Sequence, residues 1–165
     1  MSAKSVNELG AGKRPASLPQ DGECLSITTH SAEETIEFGR TLAGLLKPPR
    51  LIVLEGELGS GKTTLAKGIV SGLGAATEGE VTSPSFTLVH EYGQSGEVAH
   101  VDLYRVESAQ ELATLGLEDV LGRNAIVLVE WGEKLGESAA GPRLRIRLAY
   151  LGENDRRIMV ENLES

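Results

Sequence analysis

One stretch imposes a strand, a glycine-rich turn and a helix on this chain. Leu51-Ile52-Val53-Leu54 runs almost directly into Gly56-Glu57-Leu58-Gly59-Ser60-Gly61-Lys62-Thr63, which satisfies G-x-x-x-x-G-K-[ST]. Three glycines let successive backbone N–H groups turn inward around phosphate oxygens, and the helix that follows presents its positive N-terminal end to the same anion. In such a loop Lys62 supplies a mobile point charge for the outer phosphates, and the Thr63 hydroxyl becomes a ligand of Mg²⁺. The chain has 20 glycines in 165 residues, yet a chance match is expected only about 0.01 times, so composition does not explain the motif.

The length of 165 residues suits one domain. Residues 1–22 carry few large apolar groups among Ser, Lys, Asn, Gly and Pro, too few to offset the entropy of ordering, and are expected to be a disordered tail. Residues 23–165 are expected to form a single P-loop domain. No apolar run approaches the roughly 20 residues that cross a bilayer, and the N-terminus lacks the apolar core of a secretory signal, which predicts a cytoplasmic protein with no membrane contact. Cys24 is the one cysteine, so an internal disulfide is excluded, and a small buried thiol is expected on its strand. His30, His90 and His100 show no metal-ligand spacing, which argues against zinc. The formal charge of -8 repels polyphosphate and nucleic acid on average, so a phosphate site has to be locally positive. Continuous RNA binding would need a broad basic face, and a protein partner is the better expectation.

Along the chain, Leu25, Ile27 and Thr29 alternate as a first strand, and Ser31-Ala32-Glu33-Glu34 is a capping box that opens a helix through Phe38, Leu42 and Leu46. Pro48-Pro49 ends that helix before the Leu51 to Leu54 strand, which is apolar throughout, as expected of a central strand covered on both faces. Leu65, Ile69 and Leu73 form the stripe of the next helix, closed at Gly74. Strands Phe86 to Tyr92 and Val98 to Tyr104 form an antiparallel hairpin around Gly93-Gln94-Ser95-Gly96. A second capping box at Ser108 opens one helix through Leu112, Leu115 and Val120, ending near Gly122. Ala125 to Val129 is another buried strand, and Arg143 to Tyr150 and Arg156 to Val160 make a final hairpin. The pattern is α/β, a P-loop NTPase-like mixed sheet flanked by helices with an antiparallel hairpin portion.

A phosphate loop requires a second contribution, normally an acidic residue at the end of a buried strand. Glu130 follows Ile126-Val127-Leu128-Val129 and stands beside Trp131, where solvation alone does not explain a charge. Asp102 shares one strand face with His100 and Tyr104, and alternation by itself favours a solvated sheet face for these three. The hydroxyl-rich Thr82-Ser83-Pro84-Ser85-Phe86-Thr87 reads either as a strand-entry loop or as a switch sensing the γ-phosphate. Arg143, Arg145 and Arg147 share a face that is read as solvent-facing, with a docking surface as the alternative. Asp119-Val120-Leu121-Gly122 matches D-x-x-G but lies in a helical pattern, and N-K-x-D is absent, so adenine is preferred to guanine.

In order and spacing, four segments together resemble the bacterial TsaE family, also called YjeE. They are Gly56 to Thr64, Ser83-Pro84-Ser85-Phe86-Thr87-Leu88-Val89, His100-Val101-Asp102-Leu103-Tyr104-Arg105 and Leu128-Val129-Glu130-Trp131. The resemblance covers about residues 25 to 160. It implies a slow ATPase required for threonylcarbamoyladenosine at position 37 of tRNAs reading ANN codons. ATP would sit on Gly56, Glu57, Leu58, Gly59, Ser60, Gly61, Lys62, Thr63 and Thr64. Mg²⁺ would lie near Thr63, Asp102 and Glu130, with Lys62, Asp102 and Glu130 carrying catalysis and Trp131 close by. Adenine would rest between Thr29 to Ala32 and the turn at Gly152-Glu153. Glu57 and Ser85 stand where the family commonly has Asp and Thr, replacements that keep the functional group. The resemblance further implies that the transfer itself belongs to TsaB and TsaD, that this chain cycles them by binding and hydrolysing ATP, and that tRNA is met only through that pair.

Two other readings are compatible with the residues. A P-loop small-molecule kinase would need an acceptor pocket and a basic lid, for which Arg123, Arg143 or Arg156 could be recruited, and phosphate appearing on a metabolite instead of water would favour it. A binding module with nucleotide as a fixture would show no turnover.

Overall fold

A strand that is apolar at four consecutive positions must be covered on both faces, and β3 (Arg50–Glu55) is such a strand. The computed structural model describes residues 5–10, 12–85, 88–139 and 141–164. Besides β3 its strands are β1 (Ser5–Glu8), β2 (Glu23–Thr29), β4 (Val89–Tyr92), β5 (Val98–Asp102), β6 (Ile126–Glu130), β7 (Arg143–Tyr150) and β8 (Arg156–Leu163). They form one eight-stranded sheet in the order β1-β2-β8-β7-β3-β6-β5-β4. β7, β3, β6 and β5 run parallel, while β8 is antiparallel to β7 and β2, and β4 to β5. The fold is therefore the mixed α/β arrangement with an antiparallel hairpin portion.

Helices α1 (Ala32–Ala43) and α2 (Lys62–Gly72) cover one face. Their Phe38, Leu42, Leu65 and Ile69 pack with Ile52, Leu54, Leu128 and Ile146. The other face of β3, β6 and β5 is covered by α3 (Ala109–Thr114), α4 (Leu117–Leu121) and the 3₁₀ segment Gly132–Ala139. There Val53, Val101, Val127 and Val129 meet Leu117, Val120 and Leu135. Ser31 caps α1 by accepting from Glu34 N–H at 3.1 Å, and the Glu34 carboxylate accepts from the His30 N–H, one residue earlier than a capping box requires.

Several expectations change. Ser5–Glu8, expected in the disordered tail, form β1 and pair with Glu23–Ser26, so backbone hydrogen bonding supplies an ordering force that side-chain composition does not reveal. The helix expected from Ser108 to Gly122 is two helices, because Gly116 takes φ 65° and reorients the chain so that Leu117 and Val120 reach the core. Phe86 and Thr87, the expected start of a strand, lie outside the described residues, and the strand begins at Val89 after Leu88 at φ 66°. β8 extends to Leu163. The solvated face expected for His100 and Asp102 is buried: β5 lies between β4 and β6 with both faces covered, leaving His100 0% and Asp102 4% exposed. Arg145 and Arg147 are half-buried and paired, Arg145 with Glu55 at 3.1 Å and Arg147 with Glu161.

α1 and α2 cross so closely that an ideal Cβ on Gly68 would lie 2.1 Å from the Ile36 carbonyl oxygen. Gly68→Ala should therefore cost about 1–3 kcal/mol despite the better helix propensity of alanine. Gly79→Ala, with nothing within 4 Å of the added methyl, should stay within about 0.5 kcal/mol of the unsubstituted chain. Urea denaturation of the two variants measures this, and equal midpoints would contradict the close crossing.

Candidate functional site

The parallel register places the polar residues. Leu54 of β3 stands opposite Glu130 of β6, and Glu130 stands opposite Asp102 of β5, so both carboxylates emerge at the carboxyl ends of neighbouring strands. Open α/β sheets bind ligands at that end. The chain leaves β3 at Glu55 and turns through residues 56–61 into α2, whose first residue is Lys62. Gly61 adopts φ 107° and Gly59 φ 79°, conformations that L side chains avoid, and a Cβ on Gly59 would meet the Tyr150 hydroxyl at 2.4 Å. Among the described residues no side chain caps α2, which leaves its first N–H groups and the helix dipole directed at the cleft.

Lys62 is 5% exposed. Its Nζ donates to the Gly56 carbonyl at 2.7 Å and the Glu57 carbonyl at 2.8 Å, and it lies 4.2 Å from the ring centroid of Trp131. Burial pushes the Lys62 ammonium below its usual 10.5, while Glu130, Glu133 and Asp102 oppose that shift. The Thr63 hydroxyl lies 2.9 and 3.0 Å from the two oxygens of Glu130, a carboxylate only 3% exposed. Asp102 accepts from the Ser83 hydroxyl and, at 2.8 Å, from the Tyr104 N–H. Thus Lys62, Thr63, Asp102 and Glu130 surround one cleft of about 350 Å³, which Thr64, Ser85 and Arg105 also line. Trp131 itself has φ 59° and packs on Tyr104 with ring centroids 5.1 Å apart.

The other expected contact residues lie at the edge of this arrangement. Ala32 is the first residue of α1 and exposed, and Gly152 is exposed in the turn between β7 and β8. His30 and Asp155 fasten these two regions together through an Nδ1 to Oδ1 contact of 2.9 Å. Some site residues carry no motif in the sequence. Tyr150 donates its hydroxyl to the Leu58 carbonyl at 3.2 Å, and Arg156, stacked on Tyr150, reaches the Gly59 carbonyl at 3.5 Å. Lys134 donates to the Tyr104 carbonyl at 2.7 Å and the Val106 carbonyl at 3.0 Å. A partial signal existed for Tyr150, because a hairpin strand running parallel beside β3 necessarily ends beside the turn that follows β3.

The family model described as threonylcarbamoyl adenosine biosynthesis protein TsaE matches residues 29–158. Among similar curated proteins, the tRNA threonylcarbamoyladenosine biosynthesis protein TsaE of Treponema pallidum is 32% identical over 136 residues, covering 82% of this chain and 99% of that protein. The protein of the same name from Bacillus subtilis is 37% identical over 135 residues, covering 81% and 83%. That from Streptomyces coelicolor is 42% identical over 116 residues, covering 68% and 76%. The crystal structure of Bacillus subtilis YdiB superposes with a TM-score of 0.69 at 31% identity, covering 87% of each chain.

The His30 imidazole is held above its usual 6.5, first by its hydrogen bond to Asp155 and then by the charge of that carboxylate. A raised value means that the stabilisation from this contact is fully present below pH 6.5 and is lost as pH rises through the folded-state value. An NMR titration of His30 should give a midpoint above 6.5, and Asp155→Asn should return it toward 6.5; identical midpoints would remove the contact from the account.

Proposed function

This chain belongs to the TsaE family, and from that premise we propose that residues 56–64 hold the phosphates of ATP while Thr63, Asp102 and Glu130 hold Mg²⁺ beside them. The chain is an ATP-using enzyme, an accessory in the formation of threonylcarbamoyladenosine on tRNA. The observation that carries the site assignment is the contact of the Thr63 hydroxyl with both Glu130 oxygens. It joins the first turn of α2 to the end of β6 across 67 residues of sequence. A hydroxyl and two carboxylates offer hard oxygen donors of the kind Mg²⁺ takes. Among the described residues no three His, Cys, Asp or Glu side chains form a metal cage, and Mg²⁺ held largely by phosphates and water does not require one.

When bound, Mg²⁺ neutralises charge on the outer phosphates and organises the water around them. The chain's own residues supply the rest. Lys62 exchanges the Gly56 and Glu57 carbonyls for phosphate oxygens, moving a charge that is already inside the cleft. Glu130 holds the metal side of the site and orients the attacking water, and Asp102, tied to Ser83, couples that side to residues 83–85. Ordering of this segment by the γ-phosphate would present a docking surface to TsaB and TsaD, and hydrolysis would release it. The net charge of -8 supports a protein partner, with tRNA met through that pair. Among the described residues no helix is long and apolar enough to cross a membrane, and the proposed setting is the cytoplasm, where tRNA is modified. Residues 23–165 are proposed to work as one P-loop domain, with β1 of residues 5–8 added at the edge of its sheet.

Nucleotide titration followed by Trp131 emission, alongside phosphate release, tests the assignment. Lys62→Ala should weaken ATP binding by about 10–100-fold, the value of a lost charge-assisted hydrogen bond or two. Glu130→Ala should retain most binding and lose about 100-fold or more in hydrolysis. Equal loss of binding in both variants would contradict the assigned roles, and turnover indifferent to added TsaB and TsaD would overturn the partner reading.

A further inference from the structure

We propose that His100 is a positioning residue for Glu130, fixing the plane of its carboxylate on the proposed metal side of the cleft. The inference rests on the reading that Glu130 and Thr63 hold Mg²⁺.

His100 is 0% exposed and stands in a row of the sheet opposite Leu128, which itself stands opposite Ile52. An aliphatic residue would be easier to bury there, since an imidazole brings polar atoms that must be satisfied. Nε2 lies 2.6 Å from Glu130 Oε2, and Nδ1 has no partner among the described residues. The ring therefore has one polar contact, and that contact is with Glu130. Thr63 Oγ1 lies within 3.0 Å of both carboxylate oxygens, yet a hydroxyl has one proton and donates to one oxygen at a time. A carboxylate held at one oxygen can still swing, because its terminal torsion is broad. The imidazole donates from Nε2 to Oε2, leaving the Thr63 proton for Oε1, and two donors on two oxygens fix the plane. His100 does not line the phosphate cleft, so its influence on a ligand passes through Glu130. Outer partners of this kind typically govern metal affinity by about 10–100-fold.

The test uses the full chain and its His100→Ala, His100→Gln, His100→Asn and Glu130→Gln variants, with Mn²⁺ as the probe. Mn²⁺ binding to the protein–ADP complex is read from its EPR spectrum, and metal-free ADP affinity from Trp131 emission in EDTA. A Gln amide nitrogen reaches about as far from the backbone as Nε2, whereas that of Asn matches Nδ1 and falls short of Glu130. His100→Ala and His100→Asn should weaken Mn²⁺ binding by about 10–100-fold, His100→Gln should stay close to the unsubstituted chain, and metal-free ADP affinity should be unchanged in all three. If Glu130→Gln loses Mn²⁺ while His100→Ala keeps it, the proposal is overturned and the metal reading stands. If Gln rescues no better than Asn, the histidine fills space only and the proposal is likewise overturned. If Glu130→Gln binds Mn²⁺ like the unsubstituted chain, the metal reading itself fails, and the proposal with it.

Discussion

The parallel pairing of β3, β6 and β5 is the constraint on which the site depends. Because Leu54, Glu130 and Asp102 are aligned across three strands, the glycine-rich loop leaves the sheet where two carboxylates also end their strands. A shift of one residue in either pairing would turn Glu130 or Asp102 to the α3 and α4 side, where Val53, Val101 and Val129 form an apolar core. The alternation that packs this core is thus the same alternation that directs His100, Asp102 and Glu130 toward α2. Register and chemistry cannot be varied independently here.

Burying such groups is costly, and the fold offsets the cost with specific partners. Glu130 receives Thr63 and His100, Asp102 receives Ser83 and the Tyr104 N–H, and Lys62 receives two loop carbonyls. The loop is also braced from outside, where Tyr150 and Arg156 of the β7 and β8 hairpin hold the Leu58 and Gly59 carbonyls. These contacts give the loop a defined shape, and a loop so braced would pay less in ordering to bind an anion.

Much of this could be read along the chain because it is local. The Gly56 to Thr63 spacing, the Ser31 and Ser108 caps, the apolar β3 and β6 and the two hairpins each depend on neighbours within a few residues. What escaped depends on pairing. Alternation in β5 tells which side chains share a face but not whether that face is covered, so His100 and Asp102 read as solvated until α2 and the Ser83 segment are placed over that face. β1 is held by backbone bonds to β2, which Ser5–Glu8 do not advertise in composition. The break at Gly116 sits inside an otherwise continuous helical stripe, and only the need to deliver Leu117 and Val120 to the core distinguishes a break from a tolerated glycine. Tyr150 and Arg156 act through strand ends brought beside the loop by topology.

The contacts within the cleft also determine what binding there would do. Lys62 is already satisfied by Gly56, Glu57 and the face of Trp131, so under the proposed assignment a phosphate there would exchange contacts and not simply add them. Such an exchange would remove a cation from the Trp131 ring, which packs on Tyr104, whose carbonyl is held by Lys134. Lys134 belongs to the 3₁₀ segment over α3 and α4, so the Lys62 ammonium is linked through two aromatic rings to the far face of the sheet. The proposed signalling of nucleotide state to a partner would need two discrete arrangements of this sort, since packed interiors switch between alternatives and do not deform continuously. The left-handed Trp131, φ 59°, is the residue in this chain of contacts that stores backbone strain, and such strain persists only where surrounding contacts over-determine it. Lys62, Tyr104 and Lys134 are those contacts, and a ligand that removed the first of them would weaken the hold on the strained residue.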